Sequence, residues 1–214
     1  MCKELEYIPA TLKVVEYVSV HYGCPKCKTD DEKPNIIHAP VPAALLRSYV
    51  SPSIVAWVIY SKYVNGMPLY HQEKDWLQYG FELSRATMAN WVIECTDKYL
   101  RVLYEFYHRL LLSRGFAMAY ESPIQVLKEE GHEATAKSYV IGRKGWLFSD
   151  SPEGAEASAI SYSIAEIALA NGLNVYKYIT YVLEKRPTEE MADSELEKLL
   201  PWNDKVFEMC KIER

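Results

Sequence analysis

Residues 68–91 read PLYHQEKDWLQYGFELSRATMANW, from Pro68 to Trp91, and the folding of this stretch decides the architecture. Pro68 opens a helix with apolar positions at Leu69, Trp76 and Leu77, and Tyr79-Gly80 closes it. Ser84 then supplies an N-cap for a second helix. Helix, short turn and helix are the outline of a helix-turn-helix, in which the first turns of the second helix face the major groove. Arg85, Thr87, Met88 and Asn90 occupy those turns, and Arg85, Thr87 and Asn90 are expected to be exposed there. Arginine and asparagine are the side chains that read base edges through two hydrogen bonds. Trp91 and Leu77 are the expected packing contacts. The same pattern also describes two helices joined by a turn in an all-helical bundle.

Working outward, helical spacing extends on both sides. Upstream, Ser51-Pro52 is a helix start, and Ile54, Val55, Val58 and Ile59 repeat at helical intervals until Asn65-Gly66 stops them. Downstream, Met88, Trp91, Val92, Cys95, Tyr99, Val102, Leu103 and Phe106 predict a long helix reaching Leu112, with Gly115 as a breaker. Residues 153–170 and 174–184 predict two further helices, ended by Gly172 and Pro187, and residues 195–200 a last turn or two before Pro201-Trp202. Strand character is confined to two regions. In residues 8–22, Leu12, Val14, Val18 and Val20 share one parity, and Ile36-Ile37 suggests a short return strand. In residues 116–148, the runs 116–120, 124–127, 139–141 and 146–148 are short and apolar, and residues 129–138 read as a charged loop. The expectation is a mainly α chain with small β parts.

Composition narrows the function classes. The 214 residues are 49% hydrophobic and 25% charged, as in an ordinary globular protein. The net charge of -5 supplies no global basic field, so nucleic-acid binding would need a local basic surface. No apolar run is long enough to span a bilayer and Met1–Glu6 lacks a signal-peptide core, which places the chain in the cytoplasm with no membrane partner. In a reducing compartment, Cys24-Pro-Lys-Cys27 reads as a metal or redox motif before a disulfide. Two thiolates on a tight turn supply half of a zinc site, and Cys2, His21 and His38 are the nearby candidates for further ligands. The alternative is a lone CxxC without a partner pair. Among carboxylates, Glu121 alone lies on the strand piece around Tyr120, while Glu129, Glu130 and Glu133 fall in the charged loop. His71, His108 and His132 are isolated.

Seven stretches, taken together, resemble transposases of the insertion-sequence-66 family: residues 7–16, 22–27, 39–42, 61–73, 83–91, 142–148 and 199–203, in family order along almost the whole chain. The resemblance implies a zinc-finger-like N-terminal region over 1–42 and a helical DNA-binding region over 43–115. It further implies a remnant of a ribonuclease-H-like catalytic domain over 116–150 and a helical C-terminal element over 151–214. The family's chemistry is strand cleavage and transfer by three acidic residues with magnesium or manganese. Tyr120 sits where the first catalytic Asp belongs, with Glu121 beside it. The long segment that carries the other two acids has no counterpart between Lys128 and Gly142. The expected protein is an internally shortened transposase relative that binds transposon ends through Arg85, Thr87 and Asn90 without cleaving them. Its rivals are a helical protein that pairs with a full-length transposase, and an active metal-dependent strand-transfer enzyme.

Overall fold

The computed structural model describes residues 12–23, 36–46, 50–114, 122–126, 137–140, 148–149 and 151–212. Cys24, Cys27, Tyr120 and Glu121 lie outside the described residues, as do Gly115 and the strand piece expected over 116–120. The chain divides into two compact units, Met1–Ala44 and Leu45–Arg214.

In the first unit, strand β1 (His21–Gly23) pairs antiparallel with β2 (Ile36–His38), so the short return strand forms. The Ser19 hydroxyl donates to the Ala39 carbonyl at 3.1 Å just beyond the ladder. The strand expected from residue 8 does not extend over 12–20, where the backbone is irregular and Val14, Val18 and Val20 are exposed. Alternation makes a strand only where a partner covers one face and pairs the backbone.

The second unit is built around α1 (Pro52–Tyr63). Ser51 caps it, its hydroxyl accepting from the Ile54 amide at 3.4 Å. This helix is apolar on nearly every side, and a helix of that kind is stable only when surrounded. It is: Val55, Ala56, Val58 and Ile59 are fully buried, and α1 packs on α2 (Leu69–Gln78), α3 (Arg85–Cys95), α5 (Pro152–Ala170) and, most extensively, α6 (Val175–Lys185). α3 runs through a π-helical segment, Thr96–Leu100, into α4 (Arg101–Leu112). The wider turn brings Thr96 onto α5, where its hydroxyl pairs with that of Ser161 at 3.0 Å inside the core. Small residues of α5, Ala157, Ser161, Ala165 and Ala168, are buried on that contact side.

Asn174 caps α6 and also donates its amide to the Cys210 carbonyl at 2.7 Å. That bond ties in α8 (Asp204–Cys210), an element not expected from the sequence, after the short α7 (Asp193–Leu196) and a 3-10 turn over Glu197–Leu199. Two buried tyrosines link α4, α6 and this turn. Tyr178 donates to the Leu199 carbonyl at 2.9 Å, so the hydroxyl hydrogen between Tyr107 and Tyr178 comes from Tyr107. Burial raises both phenols well above their usual range. Between α4 and α5 lies a small sheet ordered β4-β3-β5, with β3 (Ser122–Val126) antiparallel to β4 (Lys137–Val140) and parallel to β5 (Phe148–Ser149). The architecture is mainly helical with small sheets, as expected. Among the described residues no helix is long and apolar enough to cross a membrane.

Candidate nucleic-acid interface

Pro68 starts α2, and three of its residues fix its placement. Gln72 is 2% exposed, and its amide nitrogen donates to the Val58 carbonyl at 3.3 Å and the Met67 carbonyl at 2.9 Å, which ties α2 to the C-terminal half of α1. Trp76 is the second buried contact, at 9% exposure. Leu77, the expected packing residue, is instead 55% exposed. Trp76, also among the apolar positions of the sequence, takes the core position instead. The third residue is Glu73, whose carboxylate accepts the Arg85 amide at 3.0 Å and satisfies one of the unpaired donors at the start of α3.

The turn between α2 and α3 is set by Gly80 at φ +76°, a conformation that costs a side-chain-bearing residue about 1–2 kcal/mol. The Phe81 amide returns to the Trp76 carbonyl at 3.1 Å. Ser84 then caps α3, its hydroxyl accepting the Thr87 amide at 3.1 Å. The expected helix, turn and helix are therefore present, with the N-cap where the sequence puts it.

On α3, Arg85 and Asn90 are exposed and Trp91 is buried at 5%, as expected. Thr87 departs from the expectation: it is half-buried and its hydroxyl lies 2.9 Å from that of Ser84, so it completes the cap. Met88, placed by the sequence among the groove-facing residues, is fully buried against the core. A period of 3.6 turns position 88 inward together with 91, 92 and 95.

Around Arg85 the structure assembles a cluster that sequence reasoning missed. The Arg85 guanidinium lies 6.0 Å from the centroid of the Tyr70 ring, and the Lys74 ammonium lies 4.5 Å from the same centroid. The His71 ring is 5.7 Å from that of Tyr70. Tyr70, His71, Lys74 and Arg85 are all exposed. The spacing of Tyr70 and Lys74, four residues apart, was a readable signal for half of this cluster. Two cations, Lys74 and Arg85, stand against Glu73, Asp75 and Glu82 in the same stretch. Such a surface suits stacking and base-edge contact better than broad phosphate neutralisation. Metal chemistry finds little here: among the described residues no group of three or more His, Cys, Asp or Glu side chains is placed to hold an ion.

Residues 47–140 match the family described as Transposase IS66 family, and residues 163–202 match the IS66 C-terminal element. Three curated relatives come from Sinorhizobium fredii (strain NBRC 101917 / NGR234). Uncharacterized protein y4jD is 23% identical over 81% of this chain and 35% of its own length. Uncharacterized protein y4qI is 40% identical over 27% of the chain and 11% of its own length, and uncharacterized protein y4hP 30% identical over 41% and 15%. The chain thus spans about a third or less of the curated relatives it matches. No solved structure matches it significantly. The two family matches lie in order along the chain and take in α2, α3, the core helices and the C-terminal turns, so the chain belongs to the IS66 transposase family.

Proposed function

We propose that this chain is a transposition-related protein that holds DNA, at transposon ends, without cutting it. The observation that carries the reading is the exposure of Arg85 and Asn90 on the first turns of α3, while Met88, Trp91 and Val92 are buried. A reading helix needs that division between a free N-terminal face and a packed one. Tyr70 and Lys74 extend the face with a ring for stacking and a cation for phosphate. Cys24 and Cys27 are proposed as half of a zinc site that shapes the N-terminal region.

The non-cleaving half of the proposal is a matter of charge. Two divalent ions need several carboxylates to hold them a few ångströms apart. At the position matching the first catalytic Asp stands Tyr120, and a phenol is no hard-metal ligand at neutral pH. Glu121 is one carboxylate, and residues 129–141 replace the segment that brings the other two acids in the family.

An electrophoretic shift titration over a range of salt, using ends of a matching insertion sequence, tests the binding. Specific retention is expected; no difference from random duplex would defeat the reading. Incubation of a supercoiled plasmid carrying those ends with manganese is expected to give no nicking. Nicking that vanishes in Glu121→Gln would establish an active enzyme.

A second reading is favoured by the C-terminal turns. Trp202, Phe207, Met209 and Ile212 are exposed, and a family member's matching surface is a natural counterpart. Co-purification with a full-length transposase, lost in Phe207→Asp/Met209→Asp, is the measurement that supports pairing.

A further inference from the structure

β1 and β2 set His21 directly opposite His38 in register. Direct partners of an antiparallel pair project to the same face with Cβ atoms about 4.5–5.5 Å apart. The two imidazole centroids lie 5.4 Å apart with the rings inclined at 38°, and both side chains are exposed. Two imidazoles bound to one ion at about 2.0–2.1 Å and a tetrahedral angle have centroids roughly 5 Å apart. The pair is therefore within a rotamer adjustment of chelating geometry.

A second observation asks for such a tie. In the unit Met1–Ala44 every side chain whose burial is described is exposed, except Ser19, which is half-buried. Described side chains that bury no apolar core leave such a small unit to gain from a cross-link or a metal, and two paired strands of three residues are marginal in water.

We propose that His21 and His38 form a two-imidazole clamp for a divalent transition-metal ion of the zinc class, bridging β1 and β2 with water in the remaining positions. An ion that binds only the paired strands stabilises the pairing by linkage. The clamp is assigned without the thiols. It sits two residues, about 7 Å of strand rise, from the Gly23–Ile36 end of the ladder, beyond which Cys24 and Cys27 follow in sequence. The proposal stands independently of DNA binding.

The test uses the full chain and zinc as the probe, titrated in competition with a chromophoric chelator. In a Cys24→Ser/Cys27→Ser variant zinc binding is expected to persist. Adding His21→Gln or His38→Gln to that variant should weaken it at least about tenfold, no less than the loss of an outer partner does. His108→Gln, on the exposed side of α4, should change nothing. Zinc should also slow amide exchange at Tyr22 and Ile37, and that protection should vanish in His21→Gln/His38→Gln. Both histidines are exposed, so unchanged circular dichroism of the helical unit will show that the variants fold. Zinc affinity indifferent to both histidines, loss of all binding with the two cysteines, or unaltered exchange at the ladder would each overturn the clamp.

Discussion

Arg85 is held twice. Its amide is taken by Glu73 and its guanidinium leans over Tyr70, which leaves the planar fork presented at the start of α3 with few rotamers to lose. Replacing Arg85 with Ala should weaken specific binding by about 1–3 kcal/mol and relax the preference at one base pair, if the fork reaches a base edge. Lys74 has the simpler task of a point charge. Lys74→Ala should weaken specific and random duplexes alike and lower the salt slope by about one. A pair of titrations at several salt concentrations separates the two roles, and Arg85→Ala with unchanged affinity would remove this helix from the interface. Cys95 gives a residue-scale test of the core. Burial pushes its thiol up to about 12, helped by the neighbouring Glu94 charge, so it remains protonated at neutral pH. Its alkylation by iodoacetamide should be negligible in the folded chain and rapid in denaturant, since the thiolate is the reacting species. Mass mapping of the labelled peptide reads this directly.

At the scale of elements, α4 and α5 are joined across their exposed edges by Arg101, which pairs with Glu156 and, at 3.1 Å, with Asp97. The hydrogen bond from Arg101 holds the Glu156 carboxyl below its ordinary range, against a smaller opposing effect of burial. A carboxyl lowered on folding contributes stability that is complete above its ordinary value of 4.5 and disappears as pH falls through the folded value. Glu156→Gln should therefore lower stability at neutrality, change little at acid pH where the carboxyl is already protonated, and so flatten the profile below about pH 4.5. Glu156 is 55% exposed, so solvent screening keeps the effect within about 1 kcal/mol. Urea midpoints at several pH values measure it.

The elements also show what the sequence makes legible. Caps and stops are local signals, and Ser51, Ser84, Asn174, Gly66, Gly80 and Gly172 mark ends that the structure keeps. Phase and partnership are not local. Leu77 and Trp76 are both apolar, and the tertiary packing buries Trp76 while leaving Leu77 exposed. The π-helical segment begins at Thr96, whose hydroxyl meets Ser161 of α5, 65 residues away, and it leaves no periodic trace. The valines of 12–20 alternate without a partner strand. α8 is short and carries exposed Phe207 and Met209, so its pattern has no clean apolar face. Arg85 and Asn90 were readable from residue type and place, whereas Tyr70 joins them only through the approach of α2 to α3.

Over the second unit as a whole, one core joins residues far apart in sequence. Val55, Val58 and Ile59 of α1 share it with Tyr178, Ile179, Val182 and Leu183 of α6. The stretch matching the transposase family and the stretch matching its C-terminal element are in this sense one folding unit. Removing residues 151–214 uncovers α1 along its length. Each large side chain left facing water forfeits roughly 1.5–3 kcal/mol, against a typical total of about 5–15. The shortened chain is expected to show no cooperative thermal transition by circular dichroism. A sharp transition in it would show that the first helices carry a core of their own.

The closed core has a consequence for how such proteins change length. α4 and α5 are both anchored in it, and residues 115–150 leave from one and return to the other. Whatever chain lies between those anchors is a cassette mounted on a finished pedestal. The entropic penalty of tethering a longer insert grows only with the logarithm of its length, about 0.6 kcal/mol per doubling. The penalty itself therefore gives the helices on either side little reason to register how long the cassette is. The chain between these anchors can shorten or lengthen while the body around it still folds and still holds Arg85 and Asn90 exposed on α3.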